Sequence, residues 1–262
     1  MLMIMEKLLE LIKIRKPFVL ATVIEAKGSS PGKIGFKMIY TKDQELYGTV
    51  GGGLVEAKII EEAQNALETN KSTTLEYDLS PGNKGIGMQC GGTMKVFLEV
   101  FLPKARLLLC GGGHVGYEIA KIAEILKLET ILLEERSSFA TEDRFPNIKR
   151  IVKEDYRDAL KEVKVDEYTY VVIVTKGHLT DQVVLEEIID KPAAYVGLMG
   201  SRRKKEEVMK YMKSRGYSDS ILEGVHCPIG LDLNADTPEE IALSIIAEVI
   251  AVKNKGKGGF LK

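Results

Sequence analysis

The segment Leu108-Leu109-Cys110-Gly111-Gly112-Gly113-His114-Val115-Gly116 constrains this chain more than any other. An apolar run ends on glycine, and a helical pattern begins at once. The glycines sit at the first, third and sixth positions of G-x-G-x-x-G, in the strand-to-helix context that gives this motif meaning. Gly111 permits a tight turn, Gly113 lets the backbone approach a pyrophosphate, and Gly116 lets the helix pack on the strand. The helix start then offers free N–H groups and a partial positive charge to a phosphate, with His114 at its first position. Glu134 closes the second apolar run, where an acid would accept ribose hydroxyls. A loop of this kind that binds nothing is the alternative.

The surrounding pattern agrees with that reading. Apolar runs at Arg106–Cys110, Thr130–Leu133, Ile151–Val152, Tyr168–Thr175 and Ala194–Leu198 alternate with helical stretches. Such alternation predicts βαβ units, a parallel sheet and a doubly wound, Rossmann-like domain over about residues 104–253. Pro103 marks the joint, because proline cannot continue a central strand. The division expected is 1–103 and 104–262. The first part reads as a smaller α+β domain. Its strands are Val19–Glu25, Lys37–Thr41, Leu46–Val50, Thr73–Asp78 and Met94–Phe101, its helix is Val55–Leu67, and an amphipathic N-terminal helix closes at Pro17.

Composition then removes several classes. The 262 residues carry a net charge of −1, with 45% hydrophobic and 29% charged residues, which is a globular balance without a bulk basic face for nucleic acid. The apolar face near the start is interrupted by Glu6, Lys7, Glu10 and Lys13, so neither a signal peptide nor a membrane span is expected. Three cysteines, at 90, 110 and 227, are too few and too scattered for a disulfide framework, which suits a reducing cytoplasm.

Other segments carry candidate chemistry. Gly48-Thr49-Val50-Gly51-Gly52-Gly53 before a helix reads equally as a second anion cradle or as a tight turn packed on a neighbour. Gly28-Ser29-Ser30-Pro31-Gly32-Lys33 lacks the spacing of a Walker A loop. Met88-Gln89-Cys90-Gly91-Gly92 places a thiol between glycines, where a thiolate can ligate a soft metal or accept sulfur, while a small apolar filler is the plainer reading. Cys110 reads as core filler. Thr175-Lys176-Gly177-His178 with Asp181, and Gly200-Ser201-Arg202-Arg203-Lys204, belong to later strand ends and face the same crevice as the glycine loop. His178 can move a proton or bond a ligand, and Ser201 and Arg202 can hold a phosphate, although a charge run is usually a solvated helical turn.

Together these motifs resemble the XdhC/CoxI family of xanthine dehydrogenase accessory proteins. The resemblance rests on Ala21-Thr22-Val23, Gly28-Ser29-Ser30-Pro31, Gly48–Gly53 with Glu56, Cys90-Gly91-Gly92, Gly111–Gly116, Arg144-Phe145-Pro146, Gly177-His178 with Asp181, Gly197–Arg203, and Pro228–Leu231 through Thr237–Ala242. It implies a cofactor-binding chaperone rather than an enzyme with its own turnover. Such a factor binds molybdenum cofactor, in the mono- or dinucleotide form, assists its sulfuration and delivers it to a xanthine dehydrogenase-like molybdenum hydroxylase. The resemblance also implies a homodimer and a cysteine desulfurase as sulfur donor. On this reading Cys90 is the thiol that meets the metal, with His178 as the other reactive side chain. Gly51, Gly52, Gly53, Gly91, Gly92, Gly111, Gly113, His114, Gly116, Glu134, Ser201 and Arg202 form the binding set. The family often has Arg after Ser-Pro, where this chain has Gly32. Leu54 follows the glycine turn where one branch has cysteine. An NAD(P)-dependent oxidoreductase and a nucleotide-sensing regulatory module are the competing readings.

Overall fold

The computed structural model describes residues 2–80 and 91–261, and Cys90 lies outside them. The chain divides into two compact units, Met1–Pro103 and Lys104–Lys262.

The first unit is built on β1 (Phe18–Lys27), the centre of a five-stranded antiparallel sheet. Before it comes helix α1 (Leu2–Lys13), which stops ahead of Arg15 in the left-handed region and of Pro17. After it come β2 (Lys37–Thr41), β3 (Leu46–Gly48), helix α2 (Gly53–Thr69), β4 (Thr73–Asp78) and β5 (Thr93–Phe101), in the sheet order β3-β2-β1-β5-β4. The period-2 alternation of strands decides which helix each residue meets. Val19, Ala21 and Val23 share a core with Val55, Ile59, Ala63 and Ala66 of α2. Phe18 and Leu20 point the other way and pack with Ile4 and Leu11 of α1. β3 is shorter than the sequence suggests: it ends at Gly48, Thr49 N still donates to Lys37 O of β2, and the chain then enters the glycine turn.

The second unit is the expected doubly wound domain. It contains β6 (Arg106–Cys110), α3 (His114–Ile125), β7 (Glu129–Glu134), β8 (Lys149–Val152), α4 (Tyr156–Lys161), β9 (Thr169–Ile173) and α5 (His178–Ile188). β10 (Tyr195–Leu198), α6 (Arg202–Ser214), α7 (Asp219–Leu222), β11 (Val225–His226) and α8 (Pro238–Lys253) complete it. The six strands run parallel in the order β8-β7-β6-β9-β10-β11, the dinucleotide-fold order 3-2-1-4-5-6. Both faces are covered, which is why β6 is apolar after Arg106: Leu107 and Leu109 meet α3 and α8, and Leu108 and Cys110 meet the α5 and α6 side. Each such leucine withdrawn from water contributes roughly 1.5–3 kcal/mol. Cys110 is wholly buried, and that burial pushes its thiol far above the ordinary range, as core filler requires. Helix α8 starts on a capping box between Thr237 and Glu240, with Pro238 at its first position.

The strand order reverses between β6 and β9. The crevice outside their carboxyl ends is therefore where this architecture binds ligands.

Candidate functional site

Each glycine of the β6–α3 loop has a distinct physical reason. Gly111 has φ +115°, and a Cβ there would lie 2.4 Å from Val174 O. A Cβ on Gly116 would lie 2.0 Å from Gly111 O, so only glycine lets α3 come this close to the loop. Gly113 differs: it caps α3 with ordinary extended dihedrals, and no described atom lies within 4 Å of where its Cβ would stand. The fold requires Gly111 and Gly116, and a Cβ on Gly112 would lie 2.7 Å from Phe139 O, whereas Gly113 has open space beside it. His114, the first residue of α3, is exposed.

Glu134 ends β7 beside this loop and is 1% exposed. Its Oε2 accepts from Gly112 N at 2.7 Å and Arg136 Nη2 at 3.0 Å, and its Oε1 from Arg136 N at 3.0 Å and Nε at 2.9 Å. Burial pushes the carboxyl up, but Arg136 and the Gly112 N–H outweigh it and hold Glu134 below the usual carboxylate range. Glu134 thus fastens the loop through Gly112. Arg144 fastens the same loop from the other side, with Nη2 donating to Gly112 O at 2.9 Å. Its guanidinium lies 5.1–5.6 Å from the rings of Tyr117, Phe139 and Phe145, and its buried Nε has no hydrogen-bond partner among the described residues.

The later strand ends bring further groups to the crevice. His178 opens α5 and is exposed, and no described group hydrogen-bonds its ring. Asp181, one turn further on, is fully buried; its Oδ1 accepts from Thr175 Oγ1 at 2.6 Å, and its Oδ2 pairs with Lys204 Nζ. Burial raises the Asp181 carboxyl, and Lys204 and Thr175 offset part of that rise. Lys204 also donates to Met199 O at 3.0 Å, which ties the start of α6 to the ends of β9 and β10. Ser201 caps α6 by accepting from Lys204 N at 3.3 Å, and Arg202 follows it, exposed. Arg136, Lys176 and Lys204 pair with Glu134, Glu135 and Asp181. Arg144 bonds the loop carbonyl of Gly112, and Arg202 is exposed at the start of α6.

In the first unit the glycine turn has an occupant of its own. Glu56, in the first turn of α2, accepts from Thr49 Oγ1, from Val50 N at 3.0 Å and from Gly52 N at 3.1 Å. Burial pushes this carboxyl up, but the Thr49, Val50, Gly52 and Gly51 donors outweigh it and hold Glu56 below its ordinary value. Gly51 is packed, since its Cβ would stand 2.6 Å from Gly32 N. Of the two readings of this turn, the geometry matches the packed one: its N–H groups already hold a carboxylate, although Gly52 has open space at its Cβ position and Gly53 starts the helix. Gly92 is likewise a packing glycine, with its Cβ position 2.4 Å from Lys27 O. Gly91 has φ +70° and open space beside it.

Arg136 and Arg144 are the residues that sequence reasoning did not place in the site. The signal for Arg136 was present, in an acid and an arginine two residues apart at a strand end.

Residues 107–249 match the model of the XdhC Rossmann domain, and residues 11–78 match that of the XdhC and CoxI family. The chain belongs to the XdhC and CoxI family. It is 32% identical over 247 residues to the uncharacterized protein YqeB of Escherichia coli K12, covering 94% of this chain and 45% of that one. The chain therefore spans less than half the length of that relative. It is 21% identical to a probable xanthine dehydrogenase subunit from Bacillus subtilis 168, covering 90% and 93% of the two chains. It is 22% identical to the molybdenum cofactor insertion chaperone PaoD of E. coli K12, covering 91% and 84%. A crystal structure of a protein described as a xanthine dehydrogenase from Bacillus halodurans shares the XdhC fold, with a TM-score of 0.53 at 22% identity over 96% of both chains.

Proposed function

We propose that this chain is a maturation factor for a molybdenum hydroxylase: it holds molybdenum cofactor, assists its sulfuration and passes it to a xanthine dehydrogenase-like client. The observation that carries this reading is the glycine loop at the start of α3, held by Glu134 and Arg144 at Gly112 and open beside Gly113. The cargo is a pterin dithiolene ending in a phosphate or a dinucleotide. Its phosphate end suits the loop of Gly111, Gly113 and Gly116, the N–H groups at the start of α3, and Ser201 and Arg202 across the crevice. Cys90 is the thiol assigned to the metal or its sulfur. The names of two relatives, PaoD and the B. subtilis protein, support the client class. A cysteine desulfurase as sulfur donor and a homodimer complete the proposal. His178, exposed at the start of α5, is the other reactive side chain of the proposal.

The test is anaerobic incubation with molybdenum cofactor, then gel filtration and metal analysis of wild type, Cys90→Ser and Gly113→Val. Molybdenum co-eluting with wild type and lost from both variants supports the assignment. No molybdenum with folded wild-type protein overturns it.

A further inference from the structure

Two kinds of adenosine ribose can meet a loop of this type. A free 2′,3′-diol needs a carboxylate acceptor at the end of the second strand, and a 2′-phosphate needs an arginine nearby. Glu134 stands in the acceptor position, yet both of its oxygens are filled by Gly112 and Arg136, and it is 1% exposed. What the loop shows to solvent is the guanidinium. The Arg136 side chain is 31% exposed and stacks 3.8 Å from the Phe139 ring centre. Its Nε and Nη2 are spent on Glu134, whereas Nη1 donates to no described group. A diol would have to displace a bidentate ion pair to reach its acceptor. A phosphate would meet a guanidinium already held in place by Glu134, with its Nη1 donor to spare.

We propose that the β6–α3 loop selects nucleotides bearing a 2′-phosphate, the NADP class, over those with a free diol, the NAD class, and that Arg136 decides the choice. This rests on reading the loop as a nucleotide site. The dinucleotide is thus an alternative occupant of the loop to which the proposed function gives the phosphate end of the cargo.

The experiment is calorimetric titration of the full chain with NADP+ and, separately, NAD+. Wild type, Arg136→Gln, Arg136→Lys and Gly113→Val are compared, with a thermal melt to establish folding. Wild type binds NADP+ at least about tenfold more tightly than NAD+, since one charged hydrogen bond is worth about tenfold to a hundredfold. Arg136→Gln loses that preference while its NAD+ affinity holds or rises, because Glu134 is released. Arg136→Lys retains part of the preference, and Gly113→Val binds neither nucleotide. Equal or tighter NAD+ binding by wild type overturns the proposal, as does an equal loss of both ligands in Arg136→Gln. If neither nucleotide binds while molybdenum still co-elutes, this inference fails and the maturation reading stands. If neither nucleotide nor molybdenum is held by folded protein, both fail.

Discussion

Replacing Gly116 and Gly113 separately by alanine divides the labour of the β6–α3 loop. A Cβ at 116 would stand 2.0 Å from Gly111 O and 3.0 Å from its carbonyl carbon. A carbon–oxygen contact settles near ~3.3 Å, so helix and loop must part by more than about 1 Å. Neither obstructing atom belongs to a flexible side chain, and α3 carries the buried Ile119, Ala120 and Ala123 on the sheet. Overpacking with backbone displacement costs about 3 kcal/mol, and the helix preference of alanine returns about 1. The net loss of about 2 kcal/mol lowers Tm by roughly 4–8 °C for a unit of this size. Gly113 has φ −62° and no neighbour within 4 Å, so alanine there changes stability by no more than about 0.5 kcal/mol. Differential scanning calorimetry of both variants makes the comparison. Equal destabilisation, or a Gly116→Ala protein as stable as wild type, would refute the reasoning.

Other outcomes follow from the same contacts. Glu56→Ala strips the acceptor from Val50 N, Gly52 N and Thr49, and costs about 1.5–3 kcal/mol. Hydrogen exchange at Val50 and Gly52 should accelerate while the β1–β5 pairing stays protected, and unchanged exchange would argue against the clasp. Lys204→Met leaves the buried Asp181 carboxylate without its cation, so it destabilises by about 3 kcal/mol in urea, more than Asp181→Asn does. The reverse order would show that the pair is dispensable. Glu134 and Glu56 titrate below the ordinary carboxylate value of 4.5 in the folded chain, so the unfolded chain takes up their protons first on acidification. Their stabilisation is whole above that value and is lost as pH falls through the folded values. Urea melts from pH 7 to pH 3 should show a shallower decline for Glu134→Gln than for wild type; parallel curves would exclude Glu134 as a contributor.

Much of the second unit was legible because a parallel strand covered on both faces is apolar where it is buried. Leu107–Cys110 is such a run, and the strand was read with its observed bounds, Arg106–Cys110. The two-residue strand β11 escaped notice, since Val225 and His226 are too few to show a period. Gly111 and Gly116 announced themselves through backbone geometry that glycine alone satisfies. Side-chain partnerships across long sequence separations did not. Lys204 looked like part of a solvated basic turn, yet it reaches a buried aspartate 23 positions earlier. Glu56 is the instructive case: the glycines around it pointed to an anion, and the anion is the chain's own carboxylate.

The ordered state of the β6–α3 loop has a kinetic consequence. Glu134 and Arg144 hold Gly112 from opposite sides. The chain settles the conformational cost of that loop during folding, so an arriving ligand does not bear it again. Association should then proceed in a single phase whose rate follows encounter. The heat-capacity change should reflect the surface covered, without the excess that accompanies a segment folding around its ligand.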